Sequence, residues 1–206
     1  MGKLNLGNLL KAVKVDKPCK EEVIDLLSKL GHGVKAYVAG GWLRDIDNGI
    51  DPKDTDIFIC PTQEEEIPHE LVYDLTRNFK TETIRSFHPN YEGGQMREDV
   101  SYVIKCDVYD MVVMHTGIEE TIRNFDVSIC QIYGFVEDGE IKCVNTRQYD
   151  DYKLNNIIWQ YDDIKTTDNH IERVKEKFPN TTFKTMSSEG VTFNNSTRDI
   201  WENSRV

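Results

Sequence analysis

Two aspartates one residue apart, Asp54 and Asp56, open the apolar run Ile57-Phe58-Ile59-Cys60. No other feature of the chain restricts its fold as much. A run this apolar reads as a strand buried on both faces. On a strand, residues i and i+2 project to one side. Asp54 and Asp56 are therefore expected to point together, with Thr55 and Ile57 facing the other way. Burying one carboxylate is costly, and two on the same side repel each other unless a cation is present. The residues just before them sharpen the expectation. "VKAYVA" reads as a strand, Gly40-Gly41 break it, and "WLRDIDN" reads as a short helix stopped by Gly49. The order is strand, glycine pair, helix, acid pair, strand.

The rest of the chain supplies elements of both kinds. Residues 18–30 place Val23, Leu26, Leu27 and Leu30 on one face, behind Pro18 and Glu21. That is an amphipathic helix, stopped by Gly31. Residues 68–79 space Leu71, Leu75 and Phe79 at helical intervals, and 86–99 have the Gly, Pro and Asn density of a loop. "VSYVIKC" and "VYDMVVMH" read as two more strands. Residues 118–132 place Ile118, Ile122, Phe125 and Ile129 on one helical face. A hairpin follows, in which Asp138-Gly139 supply the positive φ values of a tight primed turn. Beyond residue 147 the composition shifts to Asn, Asp, Thr and Lys, with one further helix, "NHIERVKEKF", and a weakly structured last stretch. The expectation is an α+β fold. An N-terminal segment covers 1–17, a mixed sheet flanked by helices covers 18–147, and a short, mostly helical extension covers 148–206.

Composition narrows the function classes. With 38% hydrophobic and 30% charged residues among 206, the chain has the balance of a globular protein. Its longest apolar runs are too short to cross a bilayer. The first residues are too broken by Asn, Gly and Lys for a signal peptide. Leu6 stands where a myristoylation signal on Gly2 requires Ser or Thr. The reading is a cytoplasmic protein with no membrane partner. Cysteines 19, 60, 106, 130 and 143 are odd in number and scattered over apolar segments, as reduced core thiols are. The histidines show no metal-ligand spacing. The net charge of −11 means that a polyanion must meet a local basic strip or touch few phosphates. Lys165, Arg173, Lys175, Lys177 and Lys184 form the one such strip.

The acid pair suits Mg²⁺ held by carboxylates together with substrate phosphates. Gly40 and Gly41 let backbone N–H groups approach a phosphate closely, and Arg44 adds a charge-assisted hydrogen bond to that anion or to a nearby carboxylate. A two-metal site also wants a third carboxylate from a neighbouring strand. Asp110, set in the apolar stretch of "CDVYDMVV", is preferred for this on burial, with Asp107 as the alternative.

"VAGGWLRDIDNGIDPKDTDIFI" resembles the first motif of the polymerase β superfamily, in the form found in class II tRNA nucleotidyltransferases (CCA-adding enzymes) and bacterial poly(A) polymerases. Gly40, Gly41, Arg44, Asp45, Asp54 and Asp56 match its GG-x-x-RD and D-x-D. "TIRNFDVSICQI" is similar to the later R-D-F-T-I-N-A motif, whose helix binds the ribose of the incoming nucleotide. Arg123 and Phe125 match, while Asn124 stands where the family has Asp, Asp126 where it has Thr, and Ser128 where it has Asn. An Asn can still hydrogen-bond a ribose hydroxyl, though without charge.

The resemblance covers roughly residues 34–160, the family's catalytic head and the start of its neck. It implies a nucleotidyltransferase head over 18–147 and a reduced neck-like extension behind it. Asp54, Asp56 and Asp110 would hold two Mg²⁺ ions. Gly40, Gly41 and Arg44 would hold the triphosphate of ATP or CTP, and Arg123 and Asn124 the ribose or base. Asp45 would pin Arg44 or cap its helix. Asp168 and Arg173 are the only candidates for the base or RNA contacts that a neck helix makes, and a solvated helix face explains them as well. The implied reaction extends an RNA 3′-hydroxyl, a tRNA 3′ end first, with release of pyrophosphate. The alternatives are a small-molecule or protein acceptor, a non-catalytic binding module, and a toxin that modifies host tRNA.

Overall fold

A computed structural model describes residues 18–30, 34–61, 81–86, 99–106, 108–166 and 169–201, the side chains of 61 and 81–86 excepted. The N-terminal segment 1–17, the helix expected at 68–79, most of the loop at 86–99, and both Asp107 and Asp168 lie outside the described residues.

Apolar spacing and capping build the first elements. Helix α1 (Lys20–Lys29) buries Val23, Leu26 and Leu27, and Glu22 accepts a hydrogen bond from the Cys19 backbone N–H at its start. Strand β1 (Val34–Ala39) leads through Gly40 into helix α2 (Gly41–Asp47). Strands β2 (Asp56–Pro61), β3 (Thr81–Ser86), β4 (Val100–Cys106) and β5 (Asp110–Met114) follow. Helix α3 (Ile118–Arg123) and a 3₁₀ turn (Ser128–Cys130) precede the hairpin of β6 (Ile132–Glu137) and β7 (Glu140–Asn145). Asp138 and Gly139 take positive φ at its tip, as their sequence demands.

These seven strands form one sheet in the order β3-β4-β5-β2-β1-β6-β7. It is mixed: β2 and β5 run parallel while the other neighbours are antiparallel. Alternation along the central strands makes two cores. Ile57, Ile59, Met111 and Val113 face one cluster with α1, Trp42 and Leu43. Phe58, Cys60, Val112 and Met114 face the other, with Ile118, Ile122 and Phe125. Each fully buried aliphatic side chain here contributes about 1.5–3 kcal/mol of transfer free energy. The central strand is buried on both faces, and the fold is α+β with helices flanking a mixed sheet.

Helix α4 (Arg147–Asn155), strand β8 (Ile157–Tyr161), helix α5 (His170–Lys177) and strand β9 (Thr182–Met186) complete the order. Two stretches differ from the sequence reading. The single helix expected over 118–132 stops at Arg123, and Val127 is extended. Strand β8 docks there: Tyr161 N donates to the Asp126 carbonyl, and Trp159 N donates to Ser128 Oγ at 3.0 Å. Those tertiary hydrogen bonds outweigh helical periodicity. The last stretch is also structured. β9 pairs in parallel with β8, Thr146 bridges Phe193, Cys143 bridges Arg198, and Val191 and Ile200 are buried. Among the described residues no helix is long and apolar enough to cross a membrane.

Candidate functional site

The β1–α2 turn, the start of β2, the 3₁₀ turn and one face of α5 surround a pocket of about 510 Å³. Asp54 and Asp56 are in its wall, with Gly41, Arg44 and Asp45 from α2, Cys130 from the 3₁₀ turn, and His170, Arg173 and Lys177 from α5.

The acids gather at the mouth of two parallel strands. Asp56 is the first residue of β2 and Asp110 the first of β5, and the two are directly paired in register. Asp110 N donates to the Thr55 carbonyl at 2.9 Å, which locks that register. Asp54 lies on the exposed lead-in, just before the strand on which the sequence placed it, while Thr55 is buried. Asp110 likewise stands at a strand start, half-buried, instead of mid-strand as expected. Lys105 Nζ reaches its carboxylate at 2.7 Å. Burial, then the charges of Asp110 and Asp54, push the Asp56 carboxyl up to about 7, against a smaller opposing pull from Lys105.

Among the described residues no three His, Cys, Asp or Glu side chains stand as a ready-made metal cluster. The donor chemistry nevertheless fits a hard divalent cation. Asp54, Asp56 and Asp110 offer carboxylate oxygens only, and their mutual repulsion is what such an ion relieves.

Gly40 is dictated by the turn. Its φ of 69° and ψ of −125° belong to a region that L side chains avoid, and an added Cβ would meet Phe125 at 3.1 Å. Gly40 N–H donates to the Ile132 carbonyl, anchoring the turn to β6. Gly41 leaves that part of the pocket wall without a side chain.

Arg44 and Asp45 are both buried. Arg44 Nε donates to Asp45 Oδ1 at 2.7 Å, and Lys177 Nζ on α5 donates to Asp45 Oδ2 at 2.6 Å. Asp45 therefore pins Arg44, one of the two roles that the sequence suggested. Arg44 Nη1 also reaches Cys130 Sγ at 3.1 Å. His170 lines the same pocket, close enough for its charge to act on that thiol, and its Nδ1 lies 2.7 Å from Asp126 Oδ2. Asp126 first and Cys130 second raise His170 to about 9, so it is an imidazolium at neutral pH. Asp126 is held below the usual carboxylate range by His170 and Thr166, which outweigh its burial. Asp126 and Cys130 thus have a partner that sequence reasoning missed. The available signal was the spacing of His170, Arg173, Val174 and Lys177 on one face of α5.

The remaining candidates are placed elsewhere. Arg123 donates to the Val191 carbonyl at 3.3 Å, covers the Phe193 ring, and lines a second pocket of about 540 Å³. Asn124 Nδ2 donates to Asp99 at 2.8 Å. Neither lines the pocket that holds Asp54 and Asp56. Arg173 does line it. In the basic strip, Lys177 turns to Asp45, Lys175 pairs with Glu172, and Lys184 sits over the Trp159 ring.

No protein-family model matches the chain, and no curated protein matches it significantly. Solved structures do. A CCA-adding enzyme in its apo form aligns with a TM-score of 0.47 at 17% identity, over 66% of this chain and 32% of its own. A tRNA-processing enzyme, also apo, gives 0.49 at 17% identity, over 71% and 38%. The Thermotoga maritima CCA-adding enzyme complexed with tRNA-CCA gives 0.49 at 15% identity, over 81% and 39%. The chain spans well under half the length of these proteins. At such identities and TM-scores the likeness carries no argument about function, and the chemistry of the site rests on its own residues.

Proposed function

We propose that the chain is a metal-dependent, template-independent nucleotidyltransferase. It transfers nucleotide from a nucleoside triphosphate, ATP or CTP, to an RNA 3′-hydroxyl, a tRNA 3′ end foremost, and releases pyrophosphate. The observation that carries this reading is the pairing of Asp56 with Asp110 across parallel strands, with Asp54 beside them, at a pocket walled by Gly41 and Arg44.

The reaction balances without a covalent intermediate. The 3′-oxygen bonds to the α-phosphorus, the bond from that phosphorus to the bridging oxygen breaks, and the hydroxyl proton passes to solvent. Asp54, Asp56 and Asp110 are the residues that would hold Mg²⁺. When bound, the ion acidifies the attacking hydroxyl and neutralises charge on the leaving pyrophosphate. The protein does the positioning, the larger part of catalysis in phosphoryl transfer. Lys53, His170 and Arg173 bring positive charge to the pocket. Asp45 fixes Arg44 before any ligand arrives, so orienting it costs no entropy at binding.

The test is incubation with Mg²⁺, each labelled nucleoside triphosphate separately, and tRNAs ending at successive 3′ positions. Incorporation that Asp56→Ala abolishes supports the proposal. The net charge of −11 and the engagement of Lys175 and Lys177 by acids favour a second acceptor class, a small molecule or a protein. Label that enters such an acceptor, and no RNA, would decide for it.

A further inference from the structure

Cys130 is surrounded unlike any other described cysteine. It ends the 3₁₀ turn at the pocket wall, is 6% exposed, and has Arg44 Nη1 at 3.1 Å. His170 lines the same pocket and its charge acts on the same thiol, and Asp126 holds His170 through contacts of 2.7 and 2.9 Å to Nδ1. Asp126, His170 and Cys130 are a carboxylate, an imidazolium and a thiol, and the Arg44 guanidinium lies on the thiol as well. This is the setting that turns a thiol into a thiolate, the nucleophilic form. Cys60, Cys106, Cys130 and Cys143 all belong to the apolar cores, and burial pushes Cys60 and Cys143 up to about 12. Burial also raises Cys130, yet Arg44 and His170 outweigh it and hold the group below the ordinary thiol range, with Asp126 opposing them weakly.

A core thiol that merely filled space would need no cations. Two charged groups, each itself oriented by a buried or half-buried acid, are more than packing requires. We propose that Cys130 is the reactive thiol of this chain, a covalent modification site for small electrophiles and peroxides that enter the pocket. With a haloacetamide, the sulfur lone pair bonds to the methylene carbon and halide leaves. With hydrogen peroxide it attacks one oxygen, the O–O bond breaks, hydroxide leaves, and a sulfenate remains. A group added to Sγ would share the pocket that Arg44, His170, Asp54, Asp56 and Gly41 also line. Modification therefore competes with any anion that Arg44 would bind. The inference stands on the thiol's surroundings and does not require the nucleotidyl-transfer reading.

The experiment is substoichiometric iodoacetamide labelling of the native, full chain at about pH 6, far below the ordinary thiol pKa. Each cysteine is quantified by peptide mass spectrometry, and the exposed Cys19 serves as internal reference. Each unit by which a thiol pKa falls multiplies its thiolate tenfold and lowers intrinsic nucleophilicity about threefold, a net gain of about threefold. Cys130 is expected to label at least about threefold faster than Cys19, and the ratio is expected to fall toward pH 9 as ordinary thiols ionise. His170→Gln should slow Cys130 and leave Cys19 unchanged, with circular dichroism confirming that the variant folds. Peroxide followed by dimedone should mark Cys130. If Cys130 stays unlabelled until urea unfolds the chain, or labels no faster than Cys19 at this pH, the proposal is overturned. A His170→Gln variant that folds and labels Cys130 at the unchanged rate also overturns it.

Discussion

Replacing His170 by Gln should destabilise the protein in acid and at neutrality, and should cease to matter in alkali. The imidazolium bonds to Asp126 and its charge acts on Cys130, and together these raise its pKa to about 9 from an ordinary value near 6.5. A folded-state pKa above the unfolded one gives stability that is complete below about pH 6.5 and is lost as the pH rises through about 9. The full shift would correspond to about 3 kcal/mol at 1.36 kcal/mol per unit. Because the His170 side chain is 25% exposed and Asp126 12%, solvent screening reduces this to about 2 kcal/mol. Asp126 has the opposite sense: its pKa is depressed, so its share is present above the ordinary carboxylate value and is lost as the pH falls further. The gap between wild type and His170→Gln is thus widest between about pH 4 and 6.5. Urea unfolding of both proteins at about pH 5.5, 7 and 9.5 measures it. Cys130→Ser in both backgrounds removes the thiol, whose depressed pKa adds stability with rising pH and would mask part of the trend. A gap that stays constant across the range, or widens in alkali, would refute the charged latch.

Three further perturbations probe the frame around it. Asp56→Asn removes a carboxyl repelled by its neighbours, so without divalent ions the variant should unfold about 1–3 kcal/mol less readily than wild type at pH 7. Added Mg²⁺ should raise the thermal midpoint of wild type and not of this variant; equal shifts in both would count against the metal assignment. Gly40→Ala places a Cβ at positive φ against Phe125 and should cost about 2 kcal/mol in urea unfolding, and a loss under half a kcal/mol would contradict the reading of the turn. Arg198→Ala should cost about 2 kcal/mol, because Asp47 is buried and, among the described residues, keeps Tyr149 and Lys153 as side-chain partners; an unchanged midpoint would show that Arg198 is not needed there.

Where the sequence was informative, a local pattern and its tertiary use agreed. The four apolar residues of α1 share one face and pack together, and Asp138-Gly139 turn the hairpin as their conformational freedom allows. The apolar run after Asp56 faces two cores, so alternation carried no information there and apolarity carried all of it. The acid pair was visible because two charges before such a run are expensive. The break after Arg123 was not. Ile118, Ile122, Phe125 and Ile129 keep helical spacing, yet all four are buried without a continuous helix, since β8 takes the hydrogen bonds of the intervening backbone. That pairing joins segments far apart in the chain and leaves no trace in a short window. The same holds for the tail, where Arg198 and Phe193 reach the core through isolated bridges and an ion pair.

The placement of Arg123 and the role of α5 are two sides of one arrangement. With Arg123 held against Phe193, the positive charge near Asp54 and Asp56 comes from α2, from Lys53, from Lys105 on β4 and from α5. Asp45 shows why α5 belongs to the site. Its carboxylate is 2% exposed and takes one cation from the adjacent Arg44 and another from Lys177, 132 residues away. Without Lys177, one oxygen of a buried acid would lose its partner, and Arg44 alone would have to offset the charge while also serving Cys130. His170 makes the matching connection to Asp126 at the other end of the same helix face. A chain ended before α5 would retain the acid pair and the Arg44–Asp45 contact, and would lose one wall of the pocket together with the Lys177–Asp45 and His170–Asp126 ion pairs. Under the proposed reading the acids would hold the metal, and α5 brings His170, Arg173 and Lys177 to the pocket where an anion would meet them.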